Sequence, residues 1–261
     1  MPFHQDDEIR YLTFDSLDVE KIKHAIFTRR SGVSPEPWDS LNFGSTVGDD
    51  IKNVAVNKRR AFISLGLDDQ LTYDVWQVHS RDVVVAEHPR LPNVKHQKAD
   101  IILSDKPGLV LLMRFADCVP LLLYDPIHDA IGIAHAGWQG TVKGVADVAV
   151  RAMCTSYHTA PSDLIAAIGP SIGPDHYQIG QEVAQQVITY YGQDASAILT
   201  TKNGQMYFDL WEANRLQLEY AGVKSIECSR ICTACHLEDW YSHRGQCGKA
   251  GRFGALICLR S

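Results

Sequence analysis

Between residues 109 and 144 the chain reads LVLLMRFADCVPLLLYDPIHDAIGIAHAGWQGTVKG, and its apolar positions fall into three short runs, 109–113, 119–124 and 131–134. Each run is bounded by Gly, Pro or Asp and lacks helical spacing, which predicts buried strands. Further strands are predicted over 25–28, 73–78, 83–86, 164–168, 225–231 and 255–259. Residues 1–23 read as an edge strand and a lead-in, and 88–98 as a loop. Helical patterns occupy four places. One starts with Asn53 as its cap and runs to Leu65, with Gly66 closing it. A second carries the stripe Val142, Val145, Ala149 and Ala152. A third covers 182–191. The fourth opens on a capping box, Asp209 to Glu212, and ends before Gly222. Strands and helices mix without regular βαβ alternation, and no linker or repeat interrupts them. The pattern predicts a single α+β domain over 1–261, built in layers of sheet and helix.

Charge and composition narrow the function. A net charge of −6 on 261 residues argues against nucleic-acid or membrane-surface binding, which calls for a basic face. No apolar run approaches the ~18 residues of a membrane helix. The N-terminal MPFHQDDEIRYL is acidic and lacks the apolar segment of a signal peptide, which points to the cytoplasm. Seven cysteines without framework spacing read as thiols or ligands.

Chemistry collects at the strand ends. Cys118 precedes the 119–124 run, His135 follows 131–134, and His79 follows 73–78. Three protein ligands and one open position describe a catalytic zinc site, and a Cys/His set suits zinc or copper. Their spacing matches no zinc motif. On spacing alone, a buried thiol with two loop histidines is the simpler reading. The C-x2-C of Cys232 and Cys235 lacks a second knuckle and a thioredoxin-like unit, so it reads as loop thiols. Arg29, Arg30, Arg59, Arg60, Arg114 and Arg244 flank loops, where each alone reads as a surface ion pair. Gly140 and Gly144 at a helix start offer backbone N–H groups to an anion.

Ordered blocks carry a family resemblance. They include Phe27-Thr28-Arg29-Arg30-Ser31-Gly32, Ser40-Leu41-Asn42-Phe43-Gly44, Gln77-Val78-His79 and Lys98-Ala99-Asp100. Ala116-Asp117-Cys118-Val119-Pro120, His135-Ala136-Gly137-Trp138, Ile168-Gly169-Pro170, Asp209-Leu210-Trp211, Cys232-Thr233 and Ser242-x-Arg244 follow. The chain resembles the YfiH/YlmD family, also called laccase-domain or multicopper polyphenol oxidase-like proteins, from about residue 24 onward. The resemblance implies a mixed α/β sandwich related to the Cys/His toxin-deamidase fold. It implies a zinc, with copper as the alternative, held by His79, Cys118 and His135. It also implies phosphorolysis of adenosine, inosine and methylthioadenosine, and deamination of adenosine, by a monomer or small homo-oligomer.

In that reading Cys118, His135, Asp117 and Asp100 form the catalytic group. Arg29, Arg60 and Arg244 are candidate phosphate holders, Asn42 and Gln77 candidate sugar or base contacts, and Trp138 or Phe43 candidate stacking partners. Gln139, Arg114, Phe115 and His243 depart from the family pattern and bear on substrate preference. Three other classes compete. One is copper-dependent phenol oxidation, although the 11 histidines include no H-x-H pair. Another is a metal-free Cys118–His135 hydrolase of peptidoglycan-type substrates. The last is a binding module for a purine or a peptidoglycan fragment.

Overall fold

Strand ends decide where the chemistry lies. The computed structural model describes residues 1–6 and 9–260. In chain order the first half gives β1 (Phe3–Asp6), β2 (Ile9–Leu12), β3 (Ile22–Phe27), α1 (Ile51–Ser64), β4 (Thr72–Asp74), β5 (Val83–Val85), β6 (Ile101–Ser104), β7 (Val110–Phe115), β8 (Val119–Asp125) and β9 (Ala130–Ala136). The second half gives α2 (Trp138–Thr141), α3 (Val145–Tyr157), β10 (Ile165–Ile168), β11 (Gln178–Ile179), α4 (Gln181–Tyr191), α5 (Ala195–Ile198), β12 (Leu199–Lys202), β13 (Gln205–Phe208), α6 (Leu210–Tyr220), β14 (Ser225–Cys228) and β15 (Phe253–Leu259).

Two six-stranded sheets stack face to face. One runs β1-β2-β3-β15-β7-β4, and the other β14-β10-β8-β9-β6-β5. Leu111, Met113, Ala255 and Ile257 of the first meet Leu122, Tyr124, Ile131 and Ile133 of the second. Alternate residues face outward. Leu121, Leu123 and Ala134 pack under α3 and α6 through Val145, Ala149, Met153 and Leu218. Val110, Leu112 and Leu256 pack under Ala61 and Phe62 of α1. The result is a four-layer sandwich of helix, sheet, sheet and helix, the mixed helix-and-sheet single domain that the pattern predicts. Central strands are covered on both faces, so their sequences are continuously apolar rather than alternating.

Boundaries moved where local hydrogen bonds outcompete the pattern. Asp50, not Asn53, caps α1, its side chain accepting from Lys52 N–H at 2.9 Å. Gly66 follows α1 with φ +61, as the closing position requires. Asp209 caps α6 by accepting from Glu212 N–H at 3.0 Å. Glu212 does not complete the box, because its carboxylate pairs with Arg215. The strand expected over 73–78 stops at Asp74. The hairpin β12–β13 lies outside the predicted strands, although Asn203-Gly204 is a hairpin turn signal, with φ +51 and +74 at the two residues. Phe43 is 2% exposed and stacks on Phe27, so it is a core residue and not a stacking partner for a ligand.

His24 in β3 gives a pH signature. It is buried, and its Nε2 accepts from Phe14 N–H at 2.8 Å. Burial lowers its pKa to about 4, with Asp18 and Glu227 opposing weakly. The unfolded chain therefore binds a proton at higher pH than the folded one, and stability falls as pH drops from about 6.5 toward 4. Urea unfolding at pH 7 and pH 4.5 is expected to show the native chain losing about 2 kcal/mol more than His24→Gln over that interval. Equal losses in the two proteins would refute a neutral buried His24.

Candidate functional site

His79 reaches the site because its segment changes sheets. Beyond β4 the chain leaves β7. Trp76 N–H donates to Gln97 O at 2.8 Å, and Ala99 N–H donates to Trp76 O at 3.2 Å. Those partners lead into β6 of the other sheet. Gln77 ties the crossing segment to β7, donating to Arg114 O at 2.8 Å and accepting from Arg114 N–H at 3.0 Å. His79 then adopts φ +58. The buried Asp100 carboxylate accepts from the N–H groups of Val78, His79 and Ser80 at 3.1, 3.1 and 2.6 Å, and from Ser80 Oγ at 2.9 Å.

His135 and Cys118 arrive on the β8–β9 hairpin. The register pairs Pro120 with His135, so Cys118 and His135 sit at the same end of the sheet. Asp100 Oδ1 lies 2.7 Å from His135 Nδ1, which assigns the proton to Nδ1 and leaves Nε2 as a free donor atom for a metal. Cys118 Sγ lies 3.9 Å from His79 Nε2. One donor atom from each of His79, Cys118 and His135 lies within 4.8 Å of the other two. Gly137 keeps the space among them open. A Cβ there would fall 2.8 Å from Cys118 Sγ and 2.9 Å from His79 Cδ2.

Accessibility grades across the three donors: His79 is exposed, Cys118 half-buried and His135 buried. The cluster opens at the surface. Two surface hollows of about 540 and 580 Å³ lie elsewhere, beside α1 and between α3 and β5. Burial alone would raise the Cys118 pKa, but His135 and His79 bring it down to about 6. Burial would lower His135, but the Cys118 thiolate and Asp100 raise it to about 9. The pair thus favours thiolate and imidazolium, and a divalent cation can take the place of that proton. A nitrogen, nitrogen and sulfur set on an open rim fits zinc, and also copper.

The remaining sequence candidates divide into two groups. Asp117, with φ +80, joins the cluster from behind. Its Oδ1 accepts from Thr233 Oγ1 at 2.7 Å, and its Oδ2 from Arg244 N–H at 2.6 Å. The Arg244 guanidinium lies over the Tyr177 ring at 5.3 Å and donates to Gln178 O at 2.9 Å. Asn42 is buried, and its Oδ1 accepts from Gly44 N–H and Arg252 N–H, both at 2.8 Å. Arg29 is held elsewhere, by Asp39 at 2.8 Å and Leu237 O at 3.1 Å. Arg60 lies on the exposed side of α1, where it donates to Ser31 O at 3.4 Å.

Arg252 and Tyr177 escaped the sequence reading. Arg252 is half-buried in the field of Cys118 and Asp117, and burial raises the Tyr177 pKa, with the same two anions adding to it and Arg244 opposing. Neither sits in a recognisable motif. A basic residue directly before the last apolar strand was the only available signal for Arg252. Among the departures from the family pattern, Arg114 is explained by its ion pair with the buried Asp74.

A four-layer sandwich bearing two histidines and one cysteine around a glycine at its rim defines a class of candidate metalloprotein. The chain belongs to the YfiH/YlmD family, and the family model described as multi-copper polyphenol oxidoreductase laccase matches residues 23–260. The purine nucleoside phosphorylase YlmD of Geobacillus stearothermophilus is 37% identical over 242 residues, covering 89% of this chain and 88% of its own. A purine nucleoside phosphorylase of Deinococcus radiodurans is 35% identical over 238 residues, covering 91% and 89%. The crystal structure of the hypothetical protein YfiH of Bacillus licheniformis matches with a TM-score of 0.92 at 31% identity, covering 99% of both chains. Among the described residues no helix is long and apolar enough to cross a membrane.

Asp100→Asn tests the outer support of the cluster. An amide in that place cannot match a carboxylate accepting from His135 and three backbone N–H groups. Zinc affinity, measured by competition with a chromophoric chelator, is expected to fall about 10–100-fold. Unchanged affinity would mean that the His135 ring does not need this partner.

Proposed function

We propose that this chain is a zinc-dependent purine nucleoside enzyme. It would cleave adenosine, inosine and methylthioadenosine with phosphate, and deaminate adenosine. The observation that carries the reading is the approach of His79, Cys118 and His135 around Gly137 at an open rim. Relatives named purine nucleoside phosphorylase, aligned over about nine-tenths of the chain, support the substrate class.

Phosphorolysis joins a phosphate oxygen to ribose C1′ and breaks the C1′–N9 bond. The electron pair of that bond leaves with the base, which takes up a proton. Deamination adds water at purine C6 and expels ammonia. Zinc held by His79, Cys118 and His135 would supply Lewis acidity at the rim. Arg244 is the proposed phosphate holder, because Gln178 and Tyr177 fix its guanidinium while leaving part of the fork free. Arg252 adds a second positive charge on the same side. In this reading Asp100 and Asp117 act by positioning, Asp100 on His135 and Asp117 on the backbone of Arg244. Asn42 positions Arg252, and Gln77 fixes the approach of His79. Arg29 and Arg60 have partners elsewhere, so phosphate would fall to Arg244.

Copper-dependent phenol oxidation is the second reading, favoured by a donor set that also suits copper. Phenol oxidation that persists after free copper is removed would support it.

The test uses pure protein loaded with zinc and incubated with adenosine and phosphate. Adenine and inosine are the expected products. Cys118→Ala is expected to lose more than the about 10–100-fold typical of an outer-sphere change. Arg244→Ala is expected to raise KM for phosphate about 10–100-fold, from the loss of a charge-assisted hydrogen bond, while adenosine deamination holds. Absence of product from the zinc-loaded native chain overturns the proposal. Activity without metal that survives His79→Ala but needs Cys118 and His135 would replace it with the dyad hydrolase.

A further inference from the structure

Apart from the first cluster, two loops bring four more donor side chains together. Asp175 and His176 lie in the turn between β10 and β11, and Cys232 and Cys235 between β14 and β15. The loops are joined through their backbones. Ser171 N–H donates to Ile231 O at 3.2 Å, and Thr233 N–H donates to Ser171 O at 3.0 Å. On that frame His176 Nδ1 lies 3.4 Å from Cys235 Sγ, 3.8 Å from Cys232 Sγ and 3.1 Å from Asp175 Oδ2. Cys235 Sγ lies 3.7 Å from Asp175 Oδ2. One donor atom from each of the four residues lies within 4.8 Å of the others.

Those separations have a chemical meaning. A zinc tetrahedron with bonds of about 2.0–2.3 Å has edges of about 3.3–3.8 Å. Four contacts among the donors fall in or next to that range. The Asp175–His176 contact is an ion pair in its own right, but it does not account for two sulfurs from a different loop closing on the same imidazole. Gly173 contributes twice. Its N–H points at Cys232 Sγ at 3.1 Å, the kind of outer donor that supports a ligated thiolate. A Cβ in its place would meet Asp175 Oδ1 at 2.7 Å and Cys232 Cβ at 3.1 Å. The second pair of donors that the C-x2-C lacks in its own stretch of sequence is supplied here from another loop.

We propose that Asp175, His176, Cys232 and Cys235 form a second, structural metal site for a zinc-class divalent cation. Four protein ligands close the coordination shell, unlike the three donors at the rim, so this ion is a clip and not a reagent. It would join the loops that position the first site. Thr233, between the two cysteines, donates to Asp117, and Ile172 N–H donates to Asp117 O at 3.0 Å. Tyr177, next to His176, underlies Arg244. The proposal is independent of the activity assigned to the first site.

The experiment strips the full-length chain of metal under reducing, anaerobic conditions and titrates it with cobalt(II), then with zinc. Native protein is expected to take up two equivalents. Cys118→Ser is expected to take up one, with thiolate-to-cobalt charge-transfer absorption from two sulfurs. Cys235→Ser is expected to take up one, with the weaker absorption of a single sulfur. The double variant is expected to take up none. Asp175→Asn alters an exposed side chain with little risk to folding, and is expected to weaken only the second equivalent. Uptake of a single equivalent that disappears in Cys118→Ser would overturn the proposal. So would a cobalt spectrum of Cys118→Ser without charge transfer, or a Cys232–Cys235 disulfide in the freshly purified native chain. If the equivalent lost in Cys118→Ser fails to appear while that lost in Cys235→Ser remains, the second site stands and the rim site falls.

Discussion

One buried carboxylate holds the candidate centre together. Asp100 is fully buried at the start of β6, and its two oxygens accept from three consecutive backbone N–H groups, a hydroxyl and an imidazole. Burial would raise its pKa, but hydrogen bonds from His135 and Ser80 bring it down to about 2. A charge buried this deeply is tolerable only when its oxygens are satisfied, and here the donors come from the two histidine-bearing segments. Asp100 therefore sets the path of the loop that presents His79 and the tautomer of His135 in one step. Its own backbone oxygen accepts from His135 N–H at 2.8 Å, which joins the same two segments a second time.

Sheet phase explains why the third donor joins them. Leu122 and Tyr124 of β8 face the gap between the sheets, as do Ile131 and Ile133 of β9. Cys118 and His135 continue those two series at the same end, across the Pro120–His135 pairing. The His135 ring lies 5.5 Å from Phe115 of the opposite sheet and 4.9 Å from the His79 ring. The cluster is thus the polar end of an apolar gap. Side chains one residue out of phase would point under the helices instead.

The parts of this arrangement that the sequence reveals are those written in short-range patterns. β7, β8 and β9 stand out because strands covered on both faces must be apolar at every position. α6 stands out because Asp209 caps it and Gly222 closes it with φ +98. The sheet change after Asp74 is hidden, since Val75 to Val78 has strand-like composition, and it is the Gln97 carbonyl and the Asp100 carboxylate that draw it toward β6 while the Gln77 side chain still ties it to β7. The donors themselves are legible as residue types at strand ends, but their meeting depends on register between strands distant in sequence. The same limit concealed the gathering of Asp175 and His176 with Cys232 and Cys235, and the approach of Arg252 to Asp117. Asn42 shows the opposite error: a polar residue in a Gly-rich loop suggests a ligand contact, yet its amide is spent on Gly44, Asp49 and Arg252.

Both turns that deliver the rim donors contain a non-glycine residue in the left-handed region, His79 at φ +58 and Asp117 at φ +80. Each such residue costs about 1 kcal/mol relative to an ordinary backbone, and a glycine would remove that cost. Glycine is not available at either position for different reasons. At 79 the side chain is the donor. At 117 the carboxylate anchors Thr233 and Arg244, and without it the loop behind Cys118 would lose its partners. The strain is offset locally, by Asp100 accepting from His79 N–H and by Asp117 O accepting from Ile172 N–H. Left-handed residues reverse the direction of a chain within a very short span. That reversal lets donors from β8, β9 and the β4–β5 connection end on one rim, with Gly137 kept bare so that they can approach.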